Sequence, residues 1–292
     1  MRTSKSSIFI IASITFVVFI LTFHRYIIDT FSEKNTPLEV KSSSIYNIKH
    51  TYNLPKILNE VSGISWLKND TFACVQDEDG IIFIYNVKQN RITNEIKFAG
   101  SGDYEAIAIN DNDAYVLRSD GLIYEIKNYE SKSRKISIIE TPFTEANNIE
   151  SLTFDKQNKR LLIAPKDKDL GKRHIKSIYQ IPMTTKIMDS IPIVKINLKA
   201  DLLKDFQHKK IDKTLRPSDI AIHPYTQEVY ILEGKNPKLL VLNKKGQLLK
   251  VLPLDQQTFA QPEGITFNNE GSLFISNEAT NDWANILEVQ LK

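Results

Sequence analysis

The stretch Gln261–Ala279, QPEGITFNNEGSLFISNEA, opens with proline, glutamate and glycine and then continues as two short strand-like runs. A polar turn separates the two runs, PEGITF and SLFISN. This pattern is typical of two antiparallel β-strands joined by a tight connection. It places an acidic residue, Glu263, at the mouth of an apolar strand.

The same opening recurs along the chain, and each copy is followed by further short apolar runs. The five copies are VSGISW from Val61, YEAIAI from Tyr104, IESLTF from Ile149, PSDIAI from Pro217 and PEGITF from Pro262. Their starts are 43 to 45 residues apart, except for an interval of 68 residues that holds insertions at 166–173 and 199–214. Four short strands about every 45 residues are the signature of a propeller blade. The sequence therefore predicts an all-β, five-bladed β-propeller with blades starting near residues 61, 104, 149, 217 and 262.

The last of these units is one strand short. It ends with NILEVQLK at the end of the chain, where the other units show a fourth run. An outer strand left unpaired would expose an open sheet edge. The segment IYNIKHTYNL, Ile45–Leu54, is a spare strand-like run just before the first repeat. We therefore expect it to close the ring as the fourth strand of the last blade, in a propeller spanning residues 45–292.

The N-terminus has a different character. Residues 8–23 carry no charge, and the apolar character continues to Ile28 past His24 and Arg25. This length is close to the 20 or so residues that cross a bilayer. Arg2 and Lys5 precede it, which favours a cytoplasmic N-terminus. The sequence predicts a single transmembrane signal-anchor helix over residues 1–28, a linker over 29–44, and a propeller on the extracytoplasmic side of the cell membrane. A cleaved signal peptide is the alternative.

Composition excludes several other classes of function. The formal charge is +3, from 38 basic and 35 acidic residues, which gives no reason to expect a nucleic-acid partner. The single cysteine, Cys74, excludes an intrachain disulfide and a cysteine-based metal site, and we interpret it as a buried small side chain. No P-loop, G-x-S-x-G or G-x-G-x-x-G motif occurs.

Two columns of residues are expected to meet at the channel mouth. The first column is the second position of each repeat, on the innermost strand: Ser62, Glu105, Glu150, Ser218 and Glu263. The second strand runs antiparallel and returns to the same level. The residues expected at its end are Asp77, Arg118, Lys166, Glu233 and Asn277.

Inward-facing carboxylates repel one another unless a cation or a base neutralises them. One interpretation is a hard-cation site with Ca²⁺, which binds oxygen ligands, as the candidate ion. Its candidate ligands are Glu105, Glu150, Glu263, Asp77 and Glu233. In the other interpretation Arg118 and Lys166 neutralise the carboxylates in a structural salt-bridge network, or each glutamate satisfies backbone N–H groups.

These motifs also resemble a known family. LPKILNEVSGISW (Leu54–Trp66), DYEAIAI (Asp103–Ile109), LRSDGLIYEI (Leu117–Ile126), RPSDIAIHP (Arg216–Pro224) and QPEGITF are similar to the SdiA-regulated, or YjiK-type, bacterial membrane-anchored β-propellers. The resemblance covers the chain from about residue 48. It implies an envelope propeller, with some relatives linked to calcium and likened to calcium-dependent phytases. Matched by position, the family's strand-opening glutamate corresponds to Glu105, Glu150 and Glu263 in this sequence. In two of these repeats, Ala106 and Ser151 stand where the family form has glycine.

Three functions remain open at this point. The first is a binding or sensing module of the cell envelope, with a small-molecule or protein ligand at the channel mouth and Ca²⁺ as its candidate ion. The second is a metal-dependent hydrolase, a phytase-like phosphoesterase or lactonase, in which Arg118 and Lys166 would hold an anion. The third is a protein-interaction scaffold without a small ligand. A propeller fold alone does not choose among them.

Overall fold

The computed structural model describes residues 45–280 and 282–292. They form twenty β-strands, which hydrogen-bond in five separate four-stranded antiparallel sheets. Each sheet is one blade, and the innermost strands of neighbouring blades contact one another in sequence order around a central channel. The predicted all-β, five-bladed propeller is therefore confirmed. The five innermost strands begin at the five predicted repeat starts.

The first two blades follow the predicted order of four consecutive strands. The first strand, β1 (Tyr46–Asn53), precedes blade 1, which consists of β2 (Val61–Trp66), β3 (Thr71–Gln76), β4 (Asp79–Asn86) and β5 (Arg91–Ser101). Blade 2 consists of β6 (Tyr104–Asn110), β7 (Asp113–Arg118), β8 (Ile123–Lys127) and β9 (Lys135–Ile139).

The third and fourth blades have the same order but are separated by the longer insertion. Blade 3 consists of β10 (Ile149–Asp155), β11 (Arg160–Pro165), β12 (Ile175–Pro182) and β13 (Val194–Asn197). Blade 4 consists of β14 (Pro217–Ile222), β15 (Val229–Glu233), β16 (Lys238–Leu242) and β17 (Leu248–Pro253). The insertion between them forms two short 3₁₀ helices, Asp201–Phe206 and Ile211–Lys213.

The last blade combines both ends of the propeller. Its strands are β18 (Pro262–Phe267), β19 (Leu273–Asn277), β20 (Asn285–Leu291) and β1 (Tyr46–Asn53). Strand β1 pairs with β20 along its whole length, from Tyr46 opposite Leu291 to Asn53 opposite Asn285. The predicted ring closure by the N-terminal strand is confirmed. A further 3₁₀ helix, Lys56–Leu58, connects β1 to the first blade.

The hydrophobic core is divided among the five interfaces between blades. Each of the five buried clusters draws its residues from two neighbouring blades; for example, Phe72 and Phe83 of blade 1 share a cluster with Phe274 of blade 5. Cys74 lies fully buried in that cluster, as its apolar neighbours indicate. Because each blade needs its neighbours to bury its apolar faces, the strands that close the ring stabilise every interface.

The predicted signal-anchor helix, residues 1–28, and the linker, residues 29–44, lie outside the described residues. Within residues 45–280 and 282–292, no helix has both the length and the apolar character needed to cross a bilayer.

Candidate functional site

Every innermost strand has a β-bulge at the second position of its repeat. The pairing register with the next strand skips one residue in each blade, and the skipped residues are Ser62, Glu105, Glu150, Ser218 and Glu263. A bulge bends the strand locally and redirects the side chain of the extra residue. The predicted first column is thus a ring of five bulged residues at one end of the channel, which we call the mouth.

The two serines of this ring join neighbouring blades. The Ser62 hydroxyl donates to the carbonyl oxygen of Tyr104 at 2.6 Å, and the Ser218 hydroxyl donates to that of Pro262 at 2.9 Å. Each carbonyl belongs to the first residue of the next blade's inner strand. At these two blades the ring position therefore has a structural role.

The three glutamates of the ring converge on a single ammonium group, that of Lys166. Lys166 forms an ion pair with Glu150, and its Nζ lies 4.0 Å from Oε2 of Glu263. Asn148 donates its side-chain amide to the other oxygen of Glu150 at 2.8 Å. Glu105 interacts electrostatically with all three charged groups. The structure thus contains the salt-bridge network of the second interpretation, with Lys166 as its base.

One ammonium does not neutralise three buried carboxyls. Burial, with Glu150 and Asp103 nearby, raises the pKa of Glu105 to about 10. Burial also raises the pKa of Glu150 to about 7, against the opposing effect of Lys166, and burial raises that of Glu263. Burial alone would lower the pKa of Lys166, but Glu263 and Glu150 together raise it. At neutral pH the site therefore holds protons on its carboxyls as well as one positive charge.

Further acidic residues surround this centre. Burial and Glu263 raise the pKa of Glu278 to about 7, and burial, Glu60 and Glu78 raise that of Asp77 to about 6. Arg216 faces the same end of the channel but forms an ion pair with Asp167 at 2.8 Å. The mouth consequently carries many more acidic than basic groups, which favours positively charged ligands.

The predicted second column needs a correction of one position in two blades. The residues opposite the first repeat residue are Gln76, Arg118, Pro165, Glu233 and Asn277. Asp77 and Lys166 therefore lie one residue beyond the level of Arg118 and Glu233. Because side chains alternate between the faces of a strand, this offset of one residue directs Asp77 and Lys166 to a different side from Arg118 and Glu233.

Arg118 and Glu233 are consequently bound within their own blades. The Arg118 guanidinium donates to both oxygens of Asp120 and to the Tyr124 hydroxyl. Glu233 is fully buried and forms an ion pair with Lys238, which is also buried. The structure therefore brings Glu105, Glu150, Glu263, Asp77 and Lys166 towards one mouth and leaves Arg118 and Glu233 outside it.

Asp219 is a site residue that the repeat analysis did not identify. Its buried carboxylate accepts hydrogen bonds from the backbone N–H groups of Ile220 at 2.8 Å, Ile265 at 2.9 Å and Leu152 at 3.4 Å. These groups belong to the inner strands of blades 4, 5 and 3. The Asp219 side chain thus ties three blades together inside the channel. The sequence could have indicated this residue, because Asp219 is acidic at the third position of its repeat, where the other repeats have glycine, alanine or serine.

The donor groups at the mouth are oxygens, the atoms that Ca²⁺ prefers. Oδ1 of Asp77 is also buried there without a hydrogen-bond partner in the described part of the chain. No three His, Cys, Asp or Glu side chains of residues 45–280 and 282–292 already stand in a metal-ligating arrangement. The chemistry of the donors therefore suits a hard cation, whereas their arrangement is that of the Lys166 network.

A sequence profile and two solved structures define what this chain is similar to. The profile of the SdiA-regulated proteins matches residues 41–281, most of the chain. The chain belongs to the SdiA-regulated family. Comparison with curated protein sequences gives no match.

The solved structures share the fold of this SdiA-regulated propeller. Glutaminyl cyclase from Myxococcus xanthus is 11% identical with a TM-score of 0.60, and the match covers 85% of this chain and 96% of that one. The PQQ-bound aldose sugar dehydrogenase from Streptomyces coelicolor is 13% identical with a TM-score of 0.52, and the match covers 85% and 98%. At these identities the likeness shows the propeller architecture and carries no activity over to the SdiA-regulated chain.

Proposed function

We propose that this propeller is a binding or sensing module of the bacterial cell envelope, with the channel mouth as its ligand site. The observation that supports this is that Glu105, Glu150 and Glu263, from three separate blades, all interact with the ammonium of Lys166. Carboxyl groups that keep protons at neutral pH are suited to exchange those protons for a positively charged ligand. We also propose that residues 8–28 anchor the chain in the membrane, with the propeller on the extracytoplasmic side.

The ligand we propose for the mouth is a hard divalent cation, with Ca²⁺ as the first candidate. Carboxylate oxygens of separate blades, among them the unpartnered Oδ1 of Asp77, would supply ligands of the required type. The ammonium of Lys166 stands between Glu150 and Glu263, so Ca²⁺ would have to displace it. Because the pKa of Glu105 is raised to about 10, binding at neutral pH would also release a proton.

Calorimetric titration with CaCl₂ at pH 7 tests this proposal. Glu105→Gln and Glu263→Gln each remove one charged ligand and should weaken binding roughly 10- to 100-fold. Lys166→Met removes the competing ammonium and should strengthen binding. The matched control is Glu78→Gln, which makes the same substitution at an exposed position on the same side of the disc.

The outcomes separate the two interpretations of the mouth. Saturable heat that depends on Glu105 and Glu263, with proton uptake by the buffer, supports the cation site. Absence of heat from the unchanged protein and from Lys166→Met rejects it and leaves a structural network. Equal loss of binding in Glu78→Gln would show that only the general negative field attracts the ion.

The hydrolase alternative has less support from the geometry. It required Arg118 and Lys166 to hold an anion together, whereas the Arg118 guanidinium is bound by Asp120. The mouth thus presents one of the two bases, and that base is already paired with Glu150. No specific contact favours the scaffold alternative, which would remain if calcium and other cations fail to bind.

A further inference from the structure

The far end of the channel, opposite the mouth, contains a large cavity. Its volume is about 620 Å³, and its wall consists of the last residues of all five inner strands and the turns that follow them. The carboxylate of Asp219 and its bonds to Ile265 and Leu152 lie between this cavity and the mouth. The cavity is therefore a second concave site, of a size typical for small-molecule pockets.

Aromatic side chains from three different blades form part of the wall. They are Trp66 of blade 1, Phe154 of blade 3 and Phe267 of blade 5, each the sixth residue of its repeat. All three are half-buried, so part of each ring remains accessible. Ile109 and Ile222 occupy the same position in the other two blades. This level of the cavity can cover an apolar face of a ligand.

Hydroxyl groups lie between these apolar residues. Ser65 and Thr153, one residue before Trp66 and Phe154, line the cavity. In the described part of the chain neither hydroxyl has a hydrogen-bond partner, whereas the Thr266 hydroxyl accepts from the backbone N–H of Trp66 at 3.2 Å. A purely apolar ligand would leave the Ser65 and Thr153 hydroxyls unpaired, at a cost in free energy.

The rim of the cavity is polar but carries no net charge. Lys156 forms an ion pair with Asp111 at 3.0 Å, and Lys68 and Glu130 balance each other in formal charge. The side chains of three rim amides make no hydrogen bonds within residues 45–280 and 282–292: Asn112, Gln157 and Asn269. Such a rim offers donors and acceptors to a neutral polar ligand and provides no counter-charge for an ion.

We propose that this cavity binds a short neutral saccharide. A sugar ring has apolar C–H faces, which can stack on Trp66 or Phe154, and hydroxyls at its edge, which can bond to Thr153, Ser65 and the rim amides. An ionic ligand would lack a partner here, and an aliphatic ligand would bury polar groups without bonds. This site is separate from the channel mouth, so it does not depend on cation binding there.

The two tryptophans of the chain make the test direct. They are Trp66, in the cavity, and Trp283, which is exposed elsewhere. In full-length protein carrying Trp283→Phe, emission of Trp66 is titrated with maltose, cellobiose and diacetylchitobiose. We expect a saturable spectral change with at least one of them, and none with sorbitol at the same concentration.

A second variant tests the role of the cavity wall. Thr153→Val keeps the shape of the side chain and removes its hydroxyl, and should weaken saccharide binding roughly fivefold. Thr93→Val makes the same change on the outer strand of blade 1 and should leave binding unchanged. Glu263→Gln should also leave it unchanged, because that residue lies at the other end of the channel.

Two results would overturn the proposal. The first is no saturable response of Trp66 to any of the three disaccharides. The second is a response to the hydrophobic dye anilinonaphthalene sulfonate, whose aromatic rings bind apolar surfaces, without one to sugars, which would identify an apolar pocket instead.

Discussion

Replacing Glu105 by glutamine should stabilise the protein, and by an amount that grows with pH. Folding raises the pKa of this carboxyl from 4.5 to about 10, chiefly by burial. The folded protein therefore favours the protonated form, which glutamine mimics in shape and charge. Below pH 4.5 the carboxyl is protonated in both folded and unfolded chains and costs nothing. Above that pH, the unfolded chain gains from ionisation while the folded chain does not.

The expected size follows from the shift in pKa. Each pH unit between 4.5 and about 10 costs the wild-type protein about 1.4 kcal/mol of stability. Glu105→Gln should therefore raise the free energy of unfolding by less than about 1 kcal/mol at pH 5 and by up to about 3 kcal/mol at pH 7.

Urea unfolding, followed by circular dichroism at pH 5, 6, 7 and 8, measures this dependence. Glu78→Gln makes the same substitution at an exposed position and should change stability by no more than about 0.5 kcal/mol at every pH. An equal effect of Glu105→Gln at pH 5 and pH 8 would show that Glu105 ionises normally in the folded protein. That result would refute the argument that the mouth holds protons at neutral pH.

Two further predictions concern the buried charges of blade 4. Asp219→Asn places an amide N–H against the N–H of Ile265 and should lower stability by about 2–3 kcal/mol in urea unfolding, whereas Asp205→Asn on the exposed insertion should have little effect. Glu233→Leu leaves the Lys238 ammonium buried without its partner and should cost about 3–5 kcal/mol. Adding Lys238→Met should recover most of that loss in the same assay; failure to recover would show that packing, not charge, causes the effect.

Much of the fold could be predicted because repeated strands must share one geometry. The five strand-opening motifs are alike in length and apolar pattern, so their order specified the number of blades. The missing strand of the last unit and the spare segment Ile45–Leu54 together specified how the ring closes, since an open edge is unfavourable.

The site was predicted less completely, because a single-residue register change reverses which face a side chain occupies. The turns between the first and second strands differ in length from blade to blade, so counting residues does not fix which second-strand residue lies opposite the first, and Asp77 and Lys166 lie one position beyond the expected level. The partner of Glu233 was open to prediction: Lys238 lies opposite it across a short turn. Asp219 required a three-dimensional contact, because its hydrogen-bond donors come from three blades.

The closing strand also determines when the protein can finish folding. Strand β1 is synthesised first among the described strands, yet Tyr46 pairs with Leu291, at the other end of the propeller. At typical rates of translation, roughly 10 to 50 s separate the synthesis of these two partners. During that interval β1 lacks its strand partner β20, and the last blade cannot form its outer pairing. The slowest and most aggregation-prone stage of folding should therefore be the final one, when the two ends of the chain meet.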